Sequence, residues 1–588
     1  MDNSVYLGVW TNWSRGPVLG LTLTTTRERG NLLLVLTAFF ISFVATRLWK
    51  IFCLALHRSY STSEPRDTVH HQQQVILRNS SSPESGILSL LRLIIAYRSS
   101  LKGRLIRRLT PVLLAILLLT GFTVAGGYSS SISSSIGDEA LARSDNCALI
   151  DSSTTISSFN LWAAYSSKRI ADATQYAQHC YTNASAGMPE CQKYVVDKIA
   201  TNITNTSAPC PFEEQVCQTK ENILLDTGYI DSHESLGINA QGGERFAFRY
   251  VLHCAPLKTN GYTTTISLDN GTWAAYHYGT SKSGTSDNRT VRPFTYAARD
   301  IREQYDITGY DHLQEKRYLL GQVLFCTIHS LTRIAYAATS AVGSVTIDGK
   351  PHPDYEIMPI SELTRSDGDV AIVFLVGNGV QFLERTDDAW YRATAKSAFI
   401  GNGQTTGETQ TYRPTEAASP MGCVQQWQWC NLAYPKDVGC GPLASQNDAV
   451  EGAAPLFNLT SQDLGATWEN GSTPVGTRLT WPLRVTLLSG SHIVYLLNNL
   501  GGKALTSQDR FYSGVQFPIP NNQWQQDVTF WWKTALSLIQ AAFVETVYAS
   551  TDTQLDPLRR PPLNEEDEKM CRSQARAPAM NKRSVWLT

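Results

Sequence analysis

The sequence predicts a membrane-anchored α+β protein, an N-terminal transmembrane helical hairpin followed by a β-rich, disulfide-stapled ectodomain. Three observations carry that expectation. Two apolar stretches, 31–56 and 109–127, are each long enough to cross a hydrocarbon core, which takes roughly 20 residues. Cysteines and Asn-X-Ser/Thr acceptors gather after the second stretch. Strand-period patterning dominates the region beyond about residue 200.

The first 30 residues read as an external arm without periodicity, and the first membrane helix follows at 31–56. Arg47, Trp49 and Lys50 stand where cationic heads can snorkel and an indole can sit at the interface. Thirty mostly uncharged residues precede the stretch, so it reads as a retained helix and not as a signal peptide. Segment 57–108 reads as a basic cytosolic loop, flexible over its Gln- and Ser-rich part, 59–85. It ends in an amphipathic helix over 86–108 suited to anionic lipid, or else in a basic flank that fixes topology. The second membrane helix, 109–127, leads to a Ser-rich stalk at 128–137.

Charge sets the orientation. From Arg58 to Thr110 there are nine Lys or Arg against Glu64, Asp67 and Glu84, whereas the first charges after the second stretch are Asp138 and Glu139. The positive-inside rule therefore keeps the loop cytosolic and places the N-terminus and everything after residue 127 outside. Ten cysteines lie in that outer region: Cys147, Cys180, Cys191, Cys210, Cys217, Cys254, Cys326, Cys423, Cys430 and Cys440. They allow up to five disulfides, whose connectivity the order leaves open. The sequons Asn183, Asn202, Asn205, Asn270, Asn288, Asn458 and Asn470 lie there too, while Asn79 falls on the cytosolic side and should stay bare. Cys53 reads as an idle or buried thiol, with palmitoylation as the alternative, and Cys571 lies in the tail.

The ectodomain divides into 138–345 and 346–525. Its first part, to about residue 200, contains helical-looking pieces such as 190–200; 245–254 alternates with an apolar face; 370–376 reads as a buried strand; and 484–497 reads as a hairpin about Gly490. Segment 526–550 is apolar but interrupted by Lys533, Gln540 and Glu545, which favours an amphipathic helix, docked on the ectodomain or lying on the outer leaflet, over a spanning one. The tail, 551–588, is Pro-rich and then charged, and reads as disordered without a lipid anchor.

A chain of 588 residues with 17% charged side chains and a net charge of -1 offers no basic domain for nucleic acid. Its slightly negative mean hydropathy places most of its mass outside a bilayer. Catalytic patterns fail in turn. His233-Glu234 is followed by Gly237 where a second zinc imidazole is required, and Ser281, Ser283 and Ser491 lie in no Gly-X-Ser-X-Gly elbow. Cys440, between two glycines, lacks the companions of a haem-thiolate loop and reads as half of a disulfide. No Cys-X-X-Cys pair or phosphate-cradling loop is present. Asp367 and Asp369, beside the 370–376 strand, are the remaining catalytic candidates, able in principle to hold Mg2+ or Mn2+, although Ser-Asp-Gly-Asp is also ordinary turn chemistry. Asp226 and Asp231 form a second, weaker carboxylate pair. No cofactor or resident metal is expected.

Several stretches are recognisable together: Asp226-Thr-Gly-Tyr-Ile-Asp-Ser-His-Glu-Ser-Leu-Gly-Ile-Asn-Ala240, Glu244-Arg-Phe246, Cys254-Ala-Pro256 and Ser419-Pro-Met-Gly-Cys-Val-Gln-Gln-Trp-Gln-Trp-Cys430. Through them the chain, over roughly 100–550, resembles a group of uncharacterised integral membrane proteins of filamentous fungi. The resemblance implies membrane helices flanking a large external Cys-rich domain, with no catalytic residue to carry over. This chain departs from the group in lacking a further membrane helix after the segment around Trp532.

The resulting expectation is a multi-pass glycoprotein of the plasma membrane or secretory pathway. Its partners are the lipid bilayer and a protein or cell-wall glycan ligand, with oligomeric state left open. A lumenal carbohydrate-active enzyme, such as a metal-dependent glycosyltransferase, is the alternative. A channel or transporter is disfavoured because two helices without an intramembrane charge pair offer no pathway.

Overall fold

The computed structural model describes residues 5–97, 105–135, 139–142, 147–150, 156–182, 188–268, 271–283, 290–300, 335–353, 355–378, 380–399, 409–435, 437–465, 477–512, 514–548, 553–562, 564–573, 576–578 and 584–587. Two compact units result, Val5–Leu141 with Ala579–Thr588, and Ala142–Pro578.

The smaller unit opens on an antiparallel pair, β1 (Gly8–Thr11) and β2 (Leu21–Thr26), where a structureless arm was expected. The strand Ser584–Leu587 joins β2 on its other edge. β2 runs directly into α1 (Arg27–Tyr60), and α2 (Thr68–Asn79), α3 (Pro83–Ala96) and α4 (Leu105–Ser135) follow. Within α1 and α4, Glu28–Tyr60 and Leu109–Tyr128 are long and apolar enough to cross a membrane. Leu32, Val35, Leu36, Phe39 and Phe40 of α1 and Leu113, Ile116, Leu117 and Val124 of α4 are exposed.

The connector between the apolar helices is ordered, contrary to the flexible loop expected over 59–85. Val69, Gln73 and Leu77 bury one face of α2, and Ser82 and Ser85 form a reciprocal capping box at the start of α3. The turn between these helices closes over Trp49. The indole is fully buried and donates to Ser80 Oγ at 2.8 Å, so it is a packing residue and not the interfacial anchor expected. Gly86 permits this approach, since a Cβ there would stand 2.3 Å from the indole. Cys53 is buried in the same cluster with Leu77, Ala115 and Leu118, which matches the idle-thiol reading. α4 continues as helix to Ser135, so that nearly all of the expected Ser-rich stalk, 128–137, is helical.

The larger unit is built on a seven-stranded antiparallel sheet. Its path is β6 (Ala335–Ser344), β9 (Asp369–Asn378), β10 (Ser419–Asn431), β5 (Phe246–Pro256), β4 (Asn222–Asp226) and β3 (Ile203–Ala208), with Ile230–Asp231 pairing beside β5. The short strands β7 (Thr346–Ile347) and β8 (Lys350–Pro351) form a separate hairpin. The alternation read over 245–254 holds: Phe246, Phe248, Tyr250, Leu252 and Cys254 share one buried face. Opposite them, Tyr250 stands across from Trp427, Phe248 from Trp429 and Cys254 from Cys423. β9 is apolar from Val370 to Val376 because both faces are covered: Ala371, Val373 and Leu375 enter one core, Ile372, Phe374 and Val376 a second. Strands on either side of 345/346 pair within this one sheet.

Helices supply the rest of the main core. α5 (Ile156–Cys180) lies in the part of the ectodomain where helical pieces were expected, whereas 190–200, the piece singled out, begins with a single 3-10 turn, Pro189–Cys191. The hairpin expected about Gly490 is instead the helix pair α7 (Thr480–Leu488) and α8 (Ile493–Leu500), with Gly490 at φ +76° in the link. Ile493, Val494, Leu496, Leu497 and Leu500 are buried at helical spacing, and that burial overrides the β-branched composition. A shorter helix, α6 (Gln446–Ala453), precedes them.

α9 (Gln523–Tyr548) docks on the large sheet, the first of the two positions expected for 526–550. Its core residues from Trp531 to Phe543 are covered on nearly every side. Trp532 stacks on Tyr250 at 4.9 Å, and two of the polar interruptions, Gln540 and Glu545, have protein partners. Gln540 accepts from Tyr181 Oη at 2.7 Å and donates to the Val196 carbonyl at 2.9 Å, and Glu545 accepts from Tyr165 Oη at 3.0 Å.

Ten cysteines form five disulfides: Cys147–Cys571, Cys180–Cys191, Cys210–Cys217, Cys254–Cys423 and Cys430–Cys440. The set differs from the one expected, because Cys571 of the tail pairs with Cys147, while Cys326 lies outside the described residues. The described part of the tail is accordingly structured. α10 (Glu565–Ser573) starts where Asn564 Oδ1 accepts the Asp567 N–H at 2.8 Å, and its acidic first turn faces the positive end of the helix dipole. Leu558, Met570 and Cys571 are buried, as is Asp567, which lies 3.7 Å from Arg484.

Candidate functional site

Asp367 and Asp369 stand at the start of β9 and hold different partners. Arg365 grips Asp367 through two bonds of 2.7 Å, and Gln426 donates to the same carboxylate at 3.0 Å. The Arg365 guanidinium holds the Asp367 carboxyl below its ordinary range. Asp369 is buried and accepts the N–H of Thr346 at 2.8 Å and of Gln446 at 2.9 Å, tying the β7–β8 hairpin to the first residue of α6. Burial pushes its carboxyl up to about 6.

Around that junction the fold assembles a carboxylate trio that sequence spacing conceals: Asp348 in the β7–β8 turn, and Asp448 and Glu451 on α6, with one oxygen from each within 4.8 Å of the others. Ser445 caps α6 by accepting the Asp448 N–H at 3.2 Å and donates to the Thr346 carbonyl at 2.8 Å. Asp448 accepts the N–H of Asp348 at 2.8 Å and of Gly349 at 3.0 Å, and these two residues have φ of 52° and 68°. Carboxyl oxygens in this number suit a hard divalent cation. The hydrogen bonds explain the cluster equally well, since Asp448 secures a left-handed Asp-Gly turn against the helix N-terminus. Burial and its two acidic neighbours raise the Glu451 carboxyl. Asp348-Gly349 and the Ser445-to-Asp448 spacing were the local signals, one a turn and one a cap.

The other expected positions also resolve into structure. Asp226 makes a two-pronged ion pair with Arg249, at 2.9 and 2.5 Å, and accepts the Gly228 N–H at 2.8 Å. Asp231 accepts the N–H of His233 and Glu234 in a turn, and buried His233 contacts the Ile238 carbonyl at 2.8 Å through Nδ1. Among the sequons, Asn202, Asn205 and Asn458 are exposed, while Asn183, Asn270, Asn288 and Asn470 lie outside the described residues. Asn205 Oδ1 accepts the Ser207 N–H at 3.0 Å, which leaves its amide nitrogen outside that turn contact.

A second buried polar group holds the start of α9. Asp388 accepts the N–H of Trp390 at 2.9 Å, of Tyr391 at 3.0 Å and of Trp524 at 3.2 Å. Asp527 accepts from Tyr391 Oη at 2.6 Å, from Thr506 N and Oγ1 at 2.8 and 2.6 Å, and from Gln523 Nε2 at 3.1 Å. Burial pushes both carboxyls up to about 6. On the sheet, Gln425 accepts from Tyr250 Oη at 3.0 Å and from the Ile493 N–H at 3.1 Å, and its amide nitrogen lies 3.1 Å from His492 Nε2. Burial holds the His492 imidazole down at about 4, the neutral form that can accept from that amide.

The cavity lined by Tyr165, Arg169 and Glu545 measures ≈ 10 Å³, room for about one water. Its carboxylate faces Arg169 at 3.7 Å, and burial together with Glu545 pushes the Tyr165 hydroxyl up to about 12. No family model, curated protein or solved structure matches the chain.

Proposed function

We propose that the chain is a multi-pass membrane protein of the secretory pathway or plasma membrane. Its two apolar helices span the bilayer, the connector faces the cytosol, and the larger unit faces the lumen or exterior. There it acts by surface recognition of a protein or a cell-wall glycan. The observation that carries this reading is the change of chemistry across α4, with a cationic segment before it and five disulfides after it. Recognition by the surface is favoured over turnover because Asp367, Asp369, Asp388 and Asp527 are all held by internal bonds.

The test uses full-length protein in sealed cells, with protease tags in the 61–67 link and after residue 588, followed by glycosidase treatment. The expected result is a shielded link tag, an accessible C-terminal tag, and a mass loss that shrinks stepwise in Asn202→Gln, Asn205→Gln and Asn458→Gln but not in Asn79→Gln. An accessible link tag together with an unglycosylated chain contradicts the proposal. Retention of the solubilised protein on insoluble cell-wall glycan, or crosslinking to one cell-surface protein, then separates the two ligand classes.

A further inference from the structure

The connector holds two helices of similar size with different outer faces. α2 turns His71, Gln72, Arg78 and Asn79 outward, with Val75 as the exception, and buries Val69, Gln73 and Leu77. That is the division expected of a helix facing water. α3 buries Gly86, Leu90 and Leu93, yet its outer side is also apolar: Leu88 is 56% exposed, Leu91 37% and Ile95 65%. These three recur at i, i+3 and i+7 and so share one stripe. The charged residues exposed beside the stripe are Glu84, one turn before it, and Arg92.

Two further facts identify what covers the stripe. Exposed apolar side chains continue along α1 as far as Ile51 and Leu54, within the part of the helix that contributes Trp49 and Cys53 to the connector cluster. An apolar surface therefore already reaches the level of α3. The sequence after α3 is cationic, with Arg98, Lys102, Arg104, Arg107 and Arg108 and no acidic residue before Asp138. An apolar stripe beside a run of cations matches the boundary between acyl chains and anionic headgroups. A water-facing helix would show the pattern of α2.

We infer that α3 is an interfacial helix whose outer stripe, Leu88, Leu91 and Ile95, lies in the acyl boundary of an anionic leaflet, with Arg92 meeting the headgroups. The inference rests on the proposed membrane reading and adds a lipid class and a binding surface to it. It makes the connector a monotopic element that holds the ends of the two spanning helices against one leaflet.

The test is photocrosslinking of the full-length protein in vesicles containing either phosphatidylserine or phosphatidylcholine with a diazirine on the acyl chain, and mapping by mass spectrometry. Label is expected on Leu88, Leu91 and Ile95 and absent from His71, Gln72 and Arg78. The α3 label should be higher with the anionic probe, and Arg92→Gln should lower that anionic preference about fivefold, equivalent to about 1 kcal/mol for one cation at such a surface. The membrane reading has its own readout, label from both probes on Leu32, Val35, Leu36 and Phe39. Label there with none on α3 overturns the inference and leaves the spanning helices intact, as would happen if a second protein covered the stripe. Equal α3 labelling by the two probes overturns the anionic assignment. Absence of label from both α1 and α3 overturns the membrane reading and this inference with it.

Discussion

Replacing Trp532 by alanine is expected to destabilise the larger unit by about 3–5 kcal/mol. The indole is buried at the centre of α9, stacks on Tyr250 at 4.9 Å, and donates to Thr201 Oγ1 at 2.9 Å. Tyr250 in turn stacks on Trp427 at 4.3 Å, so the cavity opens where helix and sheet meet through a continuous run of rings. Deleting a buried tryptophan costs about 3–5 kcal/mol, a large part of the roughly 5–15 kcal/mol by which a domain is stable. Trp532→Phe keeps much of the ring contact and loses the N–H bond, and should cost less than half as much. Urea unfolding followed by limited proteolysis of the solubilised full-length chain checks the order: wild type, then Trp532→Phe, then Trp532→Ala.

The second large effect is expected at Asp388. Alanine there strands the buried N–H groups of Trp390, Tyr391 and Trp524 and frees the start of α9, at a cost of about 3–5 kcal/mol. Asparagine keeps one acceptor oxygen and removes the titration, which isolates the pH dependence. Burial raises the folded-state pKa of Asp388 from 3.8 to about 6, so the folded protein holds this proton more tightly than the unfolded chain does. Its titration therefore favours folding fully below pH 3.8, and that contribution is lost as pH rises through 6. The stability of wild type relative to Asp388→Asn should accordingly fall by roughly 2 kcal/mol between pH 4 and pH 7. Urea midpoints for both proteins at three pH values measure it; a difference independent of pH would contradict the buried, ionising carboxyl.

These expectations concern contacts that the sequence discloses unevenly. The β5 strand was legible because Phe246, Phe248, Tyr250, Leu252 and Cys254 alternate with more polar neighbours, and β9 because a short apolar run lies between Gly368 and Gly377. The two long apolar helices were legible from length alone. α9 was half legible. Its periodicity marked one oily face, but Gln540 read as a polar side because its partners, Tyr181 and Val196, are more than three hundred residues away. For α8, local composition pointed to a strand and tertiary burial decided for a helix. Cys571 looked like part of a disordered acidic tail because nothing local signals a disulfide to Cys147, 424 positions earlier.

The candidate carboxylates divide in the same way. Asp367 and Asp369 were visible as an acidic pair beside a strand, but alternation along the chain does not reveal that one belongs to Arg365 and the other to the backbone of a distant hairpin and helix. Asp348 and Asp448 meet only because β7, β8 and α6 converge, and Asp388 and Asp527 only because α9 docks by its first turn. The apolar side of α3 was legible as part of an amphipathic helix over 86–108, but the sequence does not disclose that Leu90 and Leu93 pack inward while Leu88, Leu91 and Ile95 stay exposed.

The most direct test of the proposed orientation is peptide mapping of the full-length protein under non-reducing conditions, after alkylation of free thiols in intact cells. The account predicts five linked pairs, Cys147–Cys571, Cys180–Cys191, Cys210–Cys217, Cys254–Cys423 and Cys430–Cys440, with Cys53 recovered as a free thiol. Recovery of those ten cysteines in alkylated form would place the larger unit in a reducing compartment and contradict the account.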